Sequence, residues 1–168
     1  MRLKYKILLV LGGITMVMFA TTKYPLLGIV LLALLFVFLQ QKFKRGWVPT
    51  DKVIKRIEAF TPSRNYASEE GYQGELQGWL KSEFPKAKVE NRTGSSRPDI
   101  AIGDIAIEVK GPTDDSAIDS LGTKCLKYTQ YYNQLVFVLF DKRYSEDNFA
   151  EVMKGIKRHF PNVRVIVK

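Results

Sequence analysis

Cysteine and histidine are almost missing from this 168-residue chain, which has one of each, Cys125 and His159. A lone cysteine cannot form an internal disulfide, which excludes a disulfide-stapled secreted domain and fits a reducing compartment. With so few of these side chains there is no zinc-ligand cluster and no Ser/His/Asp triad, and no phosphate-binding Gly-rich loop is present either. His159 falls near the end of an expected helix, where a cation suits the dipole. Acidic residues are missing from positions 1–40, where Arg2, Lys4, Lys6 and Lys23 are the only charges. Residues 41–168 hold the other 22 basic and all 17 acidic side chains, a net of +5. That balance is ordinary for a soluble α/β domain with a mild preference for anionic partners, and is too weak to establish nucleic-acid binding. There is no internal repeat and no low-complexity tract.

Two apolar stretches are there instead, Ile7–Ala20 and Pro25–Leu39, separated by Thr21-Thr22-Lys23-Tyr24. Each would give roughly 20–25 Å of helix, slightly short of the ~30 Å hydrocarbon core. The second is the stronger; Gly12, Gly13 and Thr15 leave the first open to a tilted or re-entrant path. A cleaved signal peptide is the competing reading. A cut after Ala20 would, however, place Met18 where a small residue is wanted, and a second apolar stretch follows at once. A two-pass helical hairpin is therefore expected, with Arg2, Lys4 and Lys6 at one outer end and Lys42, Lys44 and Arg45 at the other. By the positive-inside tendency both termini face the cytoplasm, with Trp47 at the interface and membrane lipid as partner of residues 1–46.

Residues 47–65 read as a short amphipathic linker helix, capped by Thr50 and carrying Val53, Ile54 and Ile57, followed by the loop Thr61-Pro62-Ser63-Arg64-Asn65. The remainder, 66–168, reads as one domain. Ser68, followed by Glu69 and Glu70, suits a helix start, and Pro85 suits its stop, with Tyr72, Leu76, Trp79 and Leu80 at helical spacing. Strands are expected at Ala87–Asn91, Asp99–Ile102 and Ile105–Lys110. A helix over Ala117–Tyr132 has the stripe Ile118, Leu121, Cys125, Tyr128 and Tyr132. Gln134–Phe140 is a continuous apolar run, as in a strand buried on both faces. A helix capped by Ser145 and a strand Asn162–Lys168 complete the order αβββαβαβ.

The segment RPDIAIGDIAIEVKGP contains a hairpin. Gly103-Asp104 fits a two-residue turn between alternating runs. That turn sets Ile102 opposite Ile105, Ala101 opposite Ala106, Ile100 opposite Ile107 and Asp99 opposite Glu108. One face is then Ile100, Ile102, Ile105, Ile107 and Val109, a core face. The other is Asp99, Ala101, Ala106, Glu108 and Lys110, with the two alanines leaving open space. Two facing carboxylates repel unless a divalent cation joins them. Lys110 over the same surface can orient or deprotonate a water, or neutralise charge on a phosphate.

Pro98-Asp99 with Glu108-Val109-Lys110 resembles the PD-(D/E)xK nuclease signature, and the αβββαβ order is similar to the restriction-endonuclease-like core, in particular its small Mrr-like and Holliday-junction-resolvase-like members. The resemblance covers roughly residues 66–168, with an added C-terminal helix and strand. It implies an Mg²⁺-dependent endonuclease, with Mn²⁺ as substitute, in which Asp99 and Glu108 bind metal and Lys110 is the catalytic lysine. Relatives often add a helix glutamate, for which Glu75 is the match and Glu70 the weaker one. They also often place Gln or Lys on the helix after the E-x-K strand. Here Thr123 stands at the expected Gln position, a departure from the pattern; Lys124 either substitutes there as a nucleic-acid contact or is a plain surface lysine. DNA rather than RNA, and a homodimer as partner, follow from the resemblance alone. The loop Asn91-Arg92-Thr93-Gly94-Ser95-Ser96-Arg97 offers Arg92 and Arg97 as phosphate counterions; its Asn91-Arg92-Thr93 sequon would be silent in the cytoplasm. A catalytically inactive, membrane-tethered nucleic-acid-binding or assembly module is the alternative.

Overall fold

A computed structural model describes residues 25–44, 48–90, 92, 94 and 97–168. The chain divides into two compact units, 1–45 and 46–168. In the first, helix α1 spans Pro25–Lys44. Its exposed apolar side chains, including Ile29, Leu32, Leu34, Phe36 and Val37, point in every direction around the axis. Its apolar part stops at Leu39, ahead of Gln40-Gln41-Lys42, and so measures about 22 Å. Among the described residues no helix is long and apolar enough to cross a membrane. The expected pair of spans is therefore not found there, and the first apolar stretch and Trp47 lie outside the described residues.

The second unit is an α/β sandwich. Its elements are α2 (Thr50–Glu58), α3 (Glu69–Glu83), β1 (Lys88–Val89), β2 (Ile100–Ile102), β3 (Ile105–Lys110), α4 (Asp115–Tyr128), β4 (Gln134–Leu139), α5 (Glu146–His159) and β5 (Val163–Val167). The five strands form one sheet in the order β1-β2-β3-β4-β5. The first two pairings are antiparallel and the last two parallel. Strand β3 is thus hydrogen-bonded on both sides, at the point where the sheet changes sense.

The hairpin register is the expected one: Ile100↔Ile107, Ala101↔Ala106 and Ile102↔Ile105. Gly103 has φ +59°, which a two-residue turn with glycine at its first position requires. The isoleucine face, with Val109, Val136, Val138 and Phe140, packs against Val53, Ile57, Tyr72, Leu76 and Leu80 of α2 and α3. The segment read as a linker thus places three side chains, Val53, Ile57 and Phe60, in the core. Pro49 occupies its cap position and Thr50 is already helical.

Helices α4 and α5 cover the opposite face. Ala101 and Ala106 are buried there among Ile118, Leu121, Cys125, Tyr128 and Tyr132. The open space expected beside the alanines is filled, because small side chains let α4 pack close to the sheet. Helix α4 begins earlier than its apolar stripe suggests, since the Asp114 carboxylate caps it by accepting from the Ala117 N–H at 2.8 Å. It ends at Tyr128 rather than Tyr132. Ser145 caps α5 as expected.

Candidate functional site

The site lies at the C-terminal end of β3. Alternation along the strand turns Glu108 and Lys110 away from the isoleucine core and toward the N-terminal half of the hairpin, where Asp99 precedes β2. The Val109 N–H donates to Asp99 Oδ2 at 2.7 Å. A backbone group of the E-x-K strand thus holds the aspartate in place. Burial, reinforced by the neighbouring Glu108 charge, pushes the Asp99 carboxyl up to about 7, against the opposing effects of the Val109 N–H and Lys110.

Glu108 is 1 % exposed. Its Oε1 receives Lys124 Nζ at 2.6 Å and Lys110 Nζ at 3.4 Å. Its Oε2 is buried and has no hydrogen-bond partner. Polar atoms at this depth normally have a hydrogen-bond partner, so one oxygen is left for a further donor or a cation. The donors here are hard oxygens, the type that suits Mg²⁺.

Lys110 turns toward the start of α3, where its ammonium donates to both Glu69 oxygens at 2.9 Å. The strap Gly111-Pro112-Thr113 fixes the backbone behind it. The Thr113 hydroxyl donates to the carbonyls of Lys110 at 3.0 Å and Phe140 at 2.8 Å. Gly111 lies so close to Tyr72 and Phe140 that a Cβ there would fall 2.8 Å and 2.9 Å from their side chains.

Asp99, Glu108 and Lys110 therefore come together as expected. Glu75 does not join them: its carboxylate accepts from the Ser63 N–H at 2.9 Å and the Tyr66 hydroxyl at 2.9 Å. Burial raises its pKa, but these hydrogen bonds outweigh that and hold it low. Glu75 thus fastens the loop before α3. Glu70 is exposed, and the Ser68 hydroxyl holds its carboxyl low. The helix glutamate that reaches the site is Glu69, which reads in the sequence only as a charge at the helix start. Its signal is position: Glu69 opens α3, where the Lys110 ammonium reaches it, and about 1.7 turns of helix separate it from Glu75. Among the described residues no group of three or more His, Cys, Asp or Glu side chains could hold a metal ion, so the expected trio of Asp99, Glu108 and Glu75 is not assembled.

Lys124, expected as a surface substitute, is at the centre of the site. Besides Glu108 it donates to the Tyr128 hydroxyl at 3.1 Å. That hydroxyl is near Glu108 but gives its own proton to the Arg97 carbonyl at 3.1 Å. Burial, then the Glu108 charge, raises the Tyr128 pKa and keeps it a neutral donor. Thr123 is exposed. Arg92 is exposed, and Arg97 forms an ion pair with Glu90. Asn91, Thr93, Ser95 and Ser96 lie outside the described residues. Comparison with known proteins finds no matching family, no similar curated protein and no similar solved structure.

Proposed function

We propose that the chain is a metal-dependent nuclease that hydrolyses phosphodiester bonds of nucleic acid, DNA before RNA, with Asp99 and Glu108 as the metal-holding carboxylates. The single observation that carries this reading is the buried, unpartnered Oε2 of Glu108 beside a second carboxylate and a lysine. The αβββαβ order supports a restriction-endonuclease-like core. A bound Mg²⁺ would supply Lewis acidity and lower the pKa of a coordinated water. Asp99 would act as an anion, held in place by the Val109 N–H. Lys110 would place positive charge where the phosphate gains negative charge, and Glu69 would orient that ammonium. Lys124 would keep the Glu108 carboxylate aimed through Oε1.

The second reading is a catalytically silent nucleic-acid-binding module. The ion pairs already formed favour it, since Lys110 is engaged by Glu69 and Lys124 by Glu108 Oε1. For location, we propose that residues 1–46 associate with lipid. The exposed apolar surface of α1 and the basic flanks support this, as does the absence of acidic residues from positions 1–40. With residues 1–46 at a cytoplasmic membrane surface, the nuclease-like unit would face the cytoplasm.

The test incubates the full chain, purified in detergent, with linear, branched and single-stranded DNA and with RNA, with Mg²⁺ or Mn²⁺. Cleavage that is lost in Lys110→Ala is expected. Binding without cleavage would select the silent module.

A further inference from the structure

Glu90 and Arg97 close the base of the loop that leads into Asp99. Glu90 has a left-handed backbone, φ +46°, which is uncommon outside glycine, asparagine and aspartate. Its N–H donates to the Asp99 carbonyl at 3.0 Å, so the backbone that holds Asp99 also fixes Glu90. Arg97 is fixed from the other side, where its carbonyl accepts from Tyr128, and Pro98 after it is buried. Both backbones are pinned beside Asp99, yet both side chains project outward, Arg97 63 % and Glu90 50 % exposed, and pair with each other.

We infer that Glu90 is an internal competitor of the nucleic-acid backbone for Arg97, and so sets the affinity and salt dependence of binding at this site. The inference rests on the nucleic-acid reading of the site. An exposed ion pair is weak, so a phosphate that offers two acceptor oxygens can displace the carboxylate. Because Glu90 and Arg97 are both anchored to Asp99 and its surroundings, a phosphate taken by Arg97 is delivered beside the carboxylates. When Arg97 leaves, the freed Glu90 carboxylate repels adjacent phosphates and opposes binding that is not completed at the site.

The test measures binding of the full chain to a fluorescent 20-nucleotide single strand and a 20-base-pair duplex in EDTA, across a salt series. Variants are Glu90→Gln, Arg97→Gln and the double variant, each checked by thermal melting against the parent. Glu90→Gln should bind about two- to fivefold more tightly, the release of one exposed pair. Arg97→Gln should weaken binding and flatten the salt slope by about 0.9 for a duplex. In the double variant the gain from Glu90→Gln should vanish. Equal gains with and without Arg97 would overturn the inference, because Glu90 would then act as a general negative charge. Parent protein that binds neither probe would overturn the nucleic-acid reading together with the inference. Parent binding that neither substitution changes would overturn the inference alone.

Discussion

Lys124 Nζ stands 2.6 Å from Glu108 Oε1, closer than Lys110 at 3.4 Å. The principal counter-charge of the buried glutamate therefore comes from α4 and not from its own strand. Lys110 is left to Glu69, and two lysines divide two tasks.

Lys124→Ala should therefore cost stability before it costs chemistry. It leaves a buried carboxylate with one long contact, a penalty of about 1–3 kcal/mol, read as a lower melting temperature in the absence of metal. Added Mg²⁺ should recover part of that loss, because a cation on Glu108 replaces the missing charge. A melting temperature equal to the parent's would show that the pair contributes nothing.

Lys110→Ala should lower kcat by about 10²–10³-fold, the scale for losing one charge-stabilising group, with a much smaller change in KM. Single-turnover cleavage separates the two quantities.

The two helix glutamates should behave differently. Glu69→Ala frees Lys110 and should lower Mg²⁺-dependent cleavage about tenfold, the scale of an orienting contact behind a site. Glu75→Ala should leave cleavage near the parent level and loosen the loop at Ser63 and Tyr66, seen as faster amide exchange there. The reverse pattern would return Glu75 to the site.

Asp99 predicts a pH dependence of defined sign. Its folded pKa, about 7, lies above the ordinary carboxylate value of 3.8. Between those values the folded state keeps a proton that the unfolded state has lost. Stability of the metal-free protein should therefore fall as pH rises from about 4 to 7, and should level off above that. Asp99→Asn should flatten this fall in thermal melts. Cleavage should run the opposite way, rising as Asp99 ionises, with Mg²⁺ moving the rise to lower pH.

Three of the four expected hairpin pairs were legible in the sequence, because one two-residue turn fixes the register and the Ile/Ala alternation can satisfy a core in one register only; the fourth, Asp99 with Glu108, lies beyond the ladder, where the Asp99 side chain takes the Val109 N–H instead. The buried run Gln134–Leu139, the cap at Ser145 and the helix start after Ser68, which holds the N-cap position without a capping hydrogen bond, were legible on similar local grounds. Which carboxylate α3 presents was not. Gly71, Gly74 and Gly78 dilute its apolar stripe, and its rotation is set by Tyr66 and Tyr72 packing near Gly71 and Gly111. The role of Lys124 is not legible in the sequence because its position depends on how closely α4 approaches the sheet. That distance is set by Ala101 and Ala106 on other elements. The length of α1 follows from composition, but what its exposed surface meets does not.

Strand β3 is paired on both edges and covered on both faces, and it carries Glu108 and Lys110. Amide protons along it should be among the last to exchange, opening only with global unfolding. No partly unfolded state that opens β3 therefore keeps Glu108 and Lys110 in place. A substitution that weakens the sheet should therefore lower the fraction of molecules that hold Glu108 and Lys110 in position, leaving their arrangement in the remaining folded molecules unchanged.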